Sequence, residues 1–159
     1  MTLVRPTWDE TWMNIADSIA KRSRCSRAQV GAVVVSGNQR ISSTGYNGPA
    51  ASFPVEGDCI NWCPRAHGLT ALYNTYDQCP SIHAEANALL YVDRSDVEGG
   101  TIYVTGACCM SCAKLVSNSG VARVVMKIRD IDKHRRPEDV VTYLEKCNIE
   151  VTTIEDTND

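Results

Sequence analysis

Nowhere in these 159 residues do roughly 18 apolar side chains run together, the length that a membrane-crossing helix requires. Met1 to Trp8 carries no apolar core of the kind that marks a secretory leader. Together the two absences predict a cytoplasmic protein with no membrane partner. A basic excess is lacking too, since the net charge is -3 and the sequence pI is about 5.6. That counts against a protein that tracks along a nucleic-acid polymer by neutralising phosphates, and leaves room only for a local basic pocket facing a small anion. No internal repeat or low-complexity segment breaks the chain. Its length fits one compact domain over 1–159, with enough core to fold without disulfides.

Cysteine, by contrast, is plentiful, with eight in the chain. In a reducing compartment thiols stay free, so metal ligation explains them better than disulfides. Cys109-Met110-Ser111-Cys112 follows His83-Ala84-Glu85 across an intervening strand. Two cysteines at this spacing lie on one helical face, and at a helix start the exposed N–H groups favour their thiolates. His83, Cys109 and Cys112 then make a three-ligand zinc set, which leaves the fourth tetrahedral position open, as in catalytic rather than structural sites. Glu85 is a free carboxylate two residues past the histidine, placed to shuttle protons. Each half alone is ambiguous. A His-x-Glu pair is common, and a single C-x-x-C is also found in redox dithiols and in structural zinc clips.

Periodicity sets the frame around these residues. Thr7 and Glu10 form a T-x-x-E capping box, and Trp12, Ile15, Ala16, Ile19 and Ala20 repeat at helical spacing, predicting a helix to about Arg22. Gly31 to Val35 and Ile41 to Thr44 read as a hairpin about Ser36-Gly37-Asn38, followed by a loop from Gly45 to Pro49. Beyond it, helical character over Ala84 to Tyr91 precedes a strand over Thr101 to Thr105, a helix over Ser111 to Ser117 and a strand over Val121 to Met126. Pro137 opens a further helix, Ile149 to Thr153 closes as a strand, and 155–159 is a frayed tail. This order predicts a three-layer α/β/α domain with a five-stranded mixed sheet.

With these motifs in place, the chain resembles the cytidine/deoxycytidylate deaminase superfamily, and within it the deoxycytidylate (dCMP) deaminase group. The resemblance spans about Trp8 to Val151. It is carried by Arg24 to Val34 (RCSRAQVGAVV), Ser43 to Gly48 (STGYNG), Ile82 to Ala88, Gly100 to Thr105 and Cys109 to Lys114. It implies zinc-dependent hydrolysis of dCMP to dUMP and ammonia, which feeds thymidylate synthesis. His83, Cys109 and Cys112 would hold the zinc and Glu85 would move protons. Asn47 would hydrogen-bond the sugar, with Ala84 beside the substrate. Arg94 would meet the phosphate, with Arg27 and Arg24 as further candidates. Regulation by dCTP (activator, with Mg2+) and dTTP (inhibitor), and a homo-oligomer, commonly hexameric, are likewise implied. Read without the resemblance, Asn47-Gly48 is also simply a good turn, and each arginine a solvated surface charge. The rival readings are a deaminase of another cytosine nucleotide such as dCTP, and a non-catalytic structural zinc module.

The segment 50–81 keeps no period and is longer than structureless loops usually run, so something must pin it. Cys25, Cys59, Cys63 and Cys79 form a candidate second, closed zinc site, with His67 as the alternative to Cys63. In two places the chain departs from the pattern it resembles. Ala107-Cys108 replaces the proline-containing turn before the C-x-x-C, and Lys127 to Asp132 has no aromatic to stack on a pyrimidine.

Overall fold

β1 (Gly31–Val35) is buried along its whole length, because it is an interior strand of a sheet whose two faces are both covered by helices. The computed structural model describes residues 3–57, 59–66 and 79–156. Its main sheet has five strands in the order β2-β1-β5-β6-β7, where β2 is Ile41–Tyr46, β5 Thr101–Val104, β6 Arg123–Ile128 and β7 Glu150–Glu155. β1 runs antiparallel to both β2 and β5, whereas β5, β6 and β7 are mutually parallel, so the sheet is mixed.

The period of two in β1 divides its side chains between two cores. Val33 and Val35 join Trp12, Met13 and Ala16 of α1 (Trp8–Ala20), together with Tyr103 and Val125. Ala32 and Val34 face the other way, toward α2 (Ala84–Leu90), α4 (Met110–Ser117) and α5 (Pro137–Lys146) through Ala84, Ala88, Ala113, Val116, Val140 and Leu144. This is the expected α/β/α layering. α1 starts at the expected capping box, in which Glu10 N–H donates to Thr7 Oγ1 and Thr7 N–H to Glu10 Oε2 at 2.7 Å. Ion pairs fasten α1 to β6. Arg123 donates to both carboxylate oxygens of Asp9 at 2.7 Å, and Lys127 Nζ meets Asp17 at 2.8 Å.

Several boundaries differ from those expected. α1 ends at Ala20 rather than Arg22, and β6 and β7 are displaced toward the C-terminus by about two residues, the usual scale at element ends. Glu155 belongs to β7, so only 157–159 of the expected tail lies outside the described residues. A short α3 (Arg94–Val97), a 3-10 turn over Asp130–Arg135 and a two-stranded pairing of β3 (Gly48–Pro49) with β4 (Ser81–Ile82) were not expected. β3 and β4 are two residues each, too short for any period to register.

Two contacts place α2. β4 leads directly into it, and Gly45 of β2 lets its first turns lie against the sheet. A Cβ at Gly45 would stand 2.3 Å from the Ala84 carbonyl oxygen and 2.5 Å from the Ala88 nitrogen. Ser43 Oγ then donates to the Ala88 carbonyl at 2.6 Å. Among the described residues no helix is long and apolar enough to cross a membrane.

Candidate active site

α2 and α4 both begin at the edge of the sheet where β5 ends, and their N-termini present the ligands. His83 caps α2 with extended backbone, and Cys109 caps α4, its Sγ accepting from Cys112 N–H at 3.4 Å. His83 Nδ1 lies 3.5 Å from Cys109 Sγ and 3.3 Å from Cys112 Sγ. One sulfur and one nitrogen on a tetrahedral zinc, at about 2.3 and 2.05 Å from it, stand about 3.6 Å apart. The observed spacing is therefore that of a zinc ligand set. Among the described residues these three are the only group of three or more histidine, cysteine or acidic side chains whose ligand atoms all lie within 4.8 Å of one another.

Charge at the site follows from these contacts. The Cys112 thiol, with help from His83, holds Cys109 far below the usual thiol range, at about 3. Cys112 is pushed up by that same hydrogen bond with Cys109, and then by burial, so the pair shares one negative charge. The Cys109 contact raises His83. Such a donor set suits a soft divalent cation, since buried thiolates need a compensating charge.

Glu85 lies in the first turn of α2 and is 2% exposed, and its Oε1 is buried with no hydrogen-bond partner among the described residues. An unpaired buried carboxylate oxygen is costly unless something else fills the site. The fully buried Cys108 thiol beside it is pushed well above the usual range by burial and by the Glu85 charge.

A cleft of about 110 Å³, open to solvent, lies over the site. Ala84, Asn47, Arg27, Cys25, Cys63 and Cys79 are among the sequence candidates in its wall, with His83 and Glu85 at its base. Asn47 is already engaged: its Oδ1 accepts from Val30 N–H and its Nδ2 donates to the Ala28 carbonyl, both at 2.8 Å. One N–H and one lone pair of that amide remain for a ligand. The structure does not bring Arg94 to the cleft. α2 runs away from the ligands, which carries Arg94 to the opposite edge of the sheet, its Nε beside Gly120 at the entry to β6. Arg24 faces a separate groove with Lys21 and Arg22.

Sequence reading missed Arg65, Ile131, Asp132, His134 and Arg135, all of which line the cleft. A signal existed for the last four. β5 and β6 are parallel, so the loops that follow them leave the sheet on one edge, where ligands of α/β sheets bind. Of the proposed second site, Cys63 Sγ and Cys79 Sγ stand 3.8 Å apart, but no three of the Cys25, Cys59, Cys63 and Cys79 sulfurs lie within 4.8 Å of one another, and Cys59 is raised to about 11 by burial and then by the charges of Cys25 and Cys63. His67 lies outside the described residues.

The comparisons with known proteins bear on the same residues. Residues 6–128 match the family model described as the cytidine and deoxycytidylate deaminase zinc-binding region. The chain belongs to this family. A deoxycytidylate deaminase of Mycobacterium phage D29 is 44% identical over 126 residues, covering 76% of this chain and 94% of that protein. One from Schizosaccharomyces pombe is 38% identical over 124 residues, and there the match spans 76% of this chain but only 37% of the yeast protein. Among solved structures, the dCMP deaminase of cyanophage S-TIM5 in complex with dCMP and dUMP has a TM-score of 0.70 at 25% identity, covering 96% of this chain and all of that one. The family's zinc-binding region thus contains the His83, Cys109 and Cys112 set that the geometry singles out.

Proposed function

We propose that the chain hydrolyses dCMP to dUMP and ammonia, supplying dUMP for thymidylate synthesis. The observation that carries the reading is the Glu85 carboxylate, buried and with one oxygen unpaired, directly beside three ligands at tetrahedral spacing. A purely structural zinc module has no use for that carboxylate, and the relatives above are named as deaminases of the same nucleotide.

His83, Cys109 and Cys112 would hold a zinc ion, which when bound would supply Lewis-acid activation of water. The residues of the chain do the rest. Glu85 accepts a proton as water attacks C4 of the cytosine ring and delivers it to N3. It then moves a second proton to the departing amine, so that water and dCMP become dUMP and ammonia with no other reactant. Asn47, in the cleft wall, offers its remaining amide valences to a sugar hydroxyl. In place of Arg94, the arginines at the cleft, Arg27, Arg65 and Arg135, are suited to the phosphate. Ile131, in the segment that lacks an aromatic, offers an apolar cover for the base.

The reading extends to a second, structural zinc held by Cys25, Cys59, Cys63 and Cys79. The 3.8 Å between Cys63 and Cys79 supports it, because two thiolates on one zinc stand about 3.8 Å apart. It also extends, on family resemblance, to activation by dCTP with Mg2+, inhibition by dTTP and a hexameric assembly. Ammonia release from a panel of dCMP, dCTP, deoxycytidine and single-stranded DNA is the test. Turnover of dCMP above the others supports the proposal. Preference for dCTP moves the substrate, and release from none of them leaves a non-catalytic zinc module.

A further inference from the structure

Ala107 stands two residues before the zinc ligand Cys109, and no proline fixes φ at 107 or 108. The loop must nonetheless aim two thiolates to within about 0.5 Å for a metal site to form. The restraint comes from the 3-10 turn that follows β6. Ala107 N–H donates to Asp132 Oδ2 at 3.1 Å, and the Ala107 carbonyl accepts from Arg135 Nη1, so both its polar groups are held by side chains. Asp132 in turn is gripped by Arg129, whose Nε donates to Oδ2 at 2.9 Å and Nη2 to Oδ1 at 3.0 Å. The Arg129 guanidinium lies on the backbone of Gly106, where a Cβ would stand 2.5 Å from Nη2. At 1% exposure Asp132 is the most deeply buried of the charged residues in the described chain, and its carboxylate is tolerated there only because both oxygens are paired.

We propose that Asp132 is the positioning residue of the thiolate loop. By fixing the peptide groups of Ala107 it sets where Cys109, and through the start of α4 also Cys112, present sulfur to the metal. The proposal rests on the zinc reading above. It assigns to the 129–135 segment a role in metal geometry that neither the C-x-x-C nor the His-x-Glu motif contains.

The test uses cobalt(II) in place of zinc in the full chain, comparing the unmodified protein with Asp132→Asn and Asp132→Glu. Asparagine keeps the volume and one acceptor but cannot take both arms of Arg129, while glutamate keeps the charge and displaces it by one methylene. The readouts are the thiolate-to-cobalt charge-transfer and d–d bands, and the rate of cobalt release to a chelator, each taken where circular dichroism shows the protein folded. Asp132→Asn is expected to shift the bands and release cobalt about tenfold faster, with Asp132→Glu between it and the unmodified protein. Folded Asp132→Asn with unchanged bands and release rate overturns the proposal, even if its melting temperature is lower. Should Asp132→Asn not fold, Asp132→Glu is read against the same two criteria. Absence of a thiolate-to-cobalt band in the unmodified protein is a distinct result, which removes the zinc reading itself.

Discussion

Cys112 Sγ lies 3.3 Å from His83 Nδ1, although 29 residues separate them in the chain. The two side chains meet because α2 and α4 both start at one edge of the sheet, the first led in by the β3–β4 pairing and the second by the turn after β5. A metal bound there ties the two helices together, so its removal reaches stability as well as chemistry. Dialysis against a strong zinc chelator is expected to abolish turnover and lower the melting temperature, and added zinc to restore both. Binding at about 1,000 times Kd is worth about 4 kcal/mol. A melting temperature indifferent to the metal would contradict this.

Glu85 makes no contribution to the ligand set, which predicts a clean separation of binding from chemistry. Glu85→Gln is expected to keep its zinc by metal analysis while turnover of dCMP falls by about 10²–10⁴-fold. Undiminished turnover would remove Glu85 from the proton path.

The cysteines of the long segment predict a different phenotype. Cys59→Ser is expected to lower the zinc content from two per chain to one and to reduce the melting temperature, with kcat less affected than stability. One zinc per chain in the unmodified protein would count against the second site.

Gly45 tests how closely α2 must approach the sheet. With a Cβ only 2.3 Å from the Ala84 carbonyl oxygen, Gly45→Ala has to push backbone, not a flexible side-chain end. A loss of about 1–3 kcal/mol in urea unfolding is expected, together with reduced activity, since His83 and Glu85 move with the helix.

Asp9 provides a pH signature far from the cleft. Its hydrogen bond with the Arg123 guanidinium, ahead of that with Tyr103, lowers its pKa below the usual carboxylate value. A folded pKa below the unfolded one means that the stabilisation is present above about pH 4 and is lost as acidification passes through the folded value. Asp9→Asn should reduce stability at neutral pH by on the order of 1 kcal/mol and flatten the acid limb of a plot of urea midpoint against pH. An acid limb identical in the two proteins would contradict the assignment.

Much of the layering was legible in the chain. Apolar residues at helical spacing in Trp12 to Ala20 and an unbroken apolar Gly31 to Val35 identify a helix and a doubly covered strand, because burial is set locally by periodicity. The ligands were legible for a related reason: cysteine pairs and His-x-Glu at helix starts have few other uses together. Sequence proximity to the His83 helix says nothing about which end of that helix faces the cleft, and Arg94 lies at the far end. Arg65, Arg135 and Asp132 were silent, since isolated charges in irregular segments carry no period.

The chain by itself determined which atoms can bind a metal and which segments bury an apolar face, as both are written in residue type and local spacing. Only the tertiary structure decided what surrounds them. The parallel run of β5 and β6 turns the loops after both strands to one edge, bringing Arg135 and Asp132 to Ala107, while the direction of α2 takes Arg94 away. Such convergence depends on strand direction and helix polarity, which are global properties that no short stretch of residues encodes.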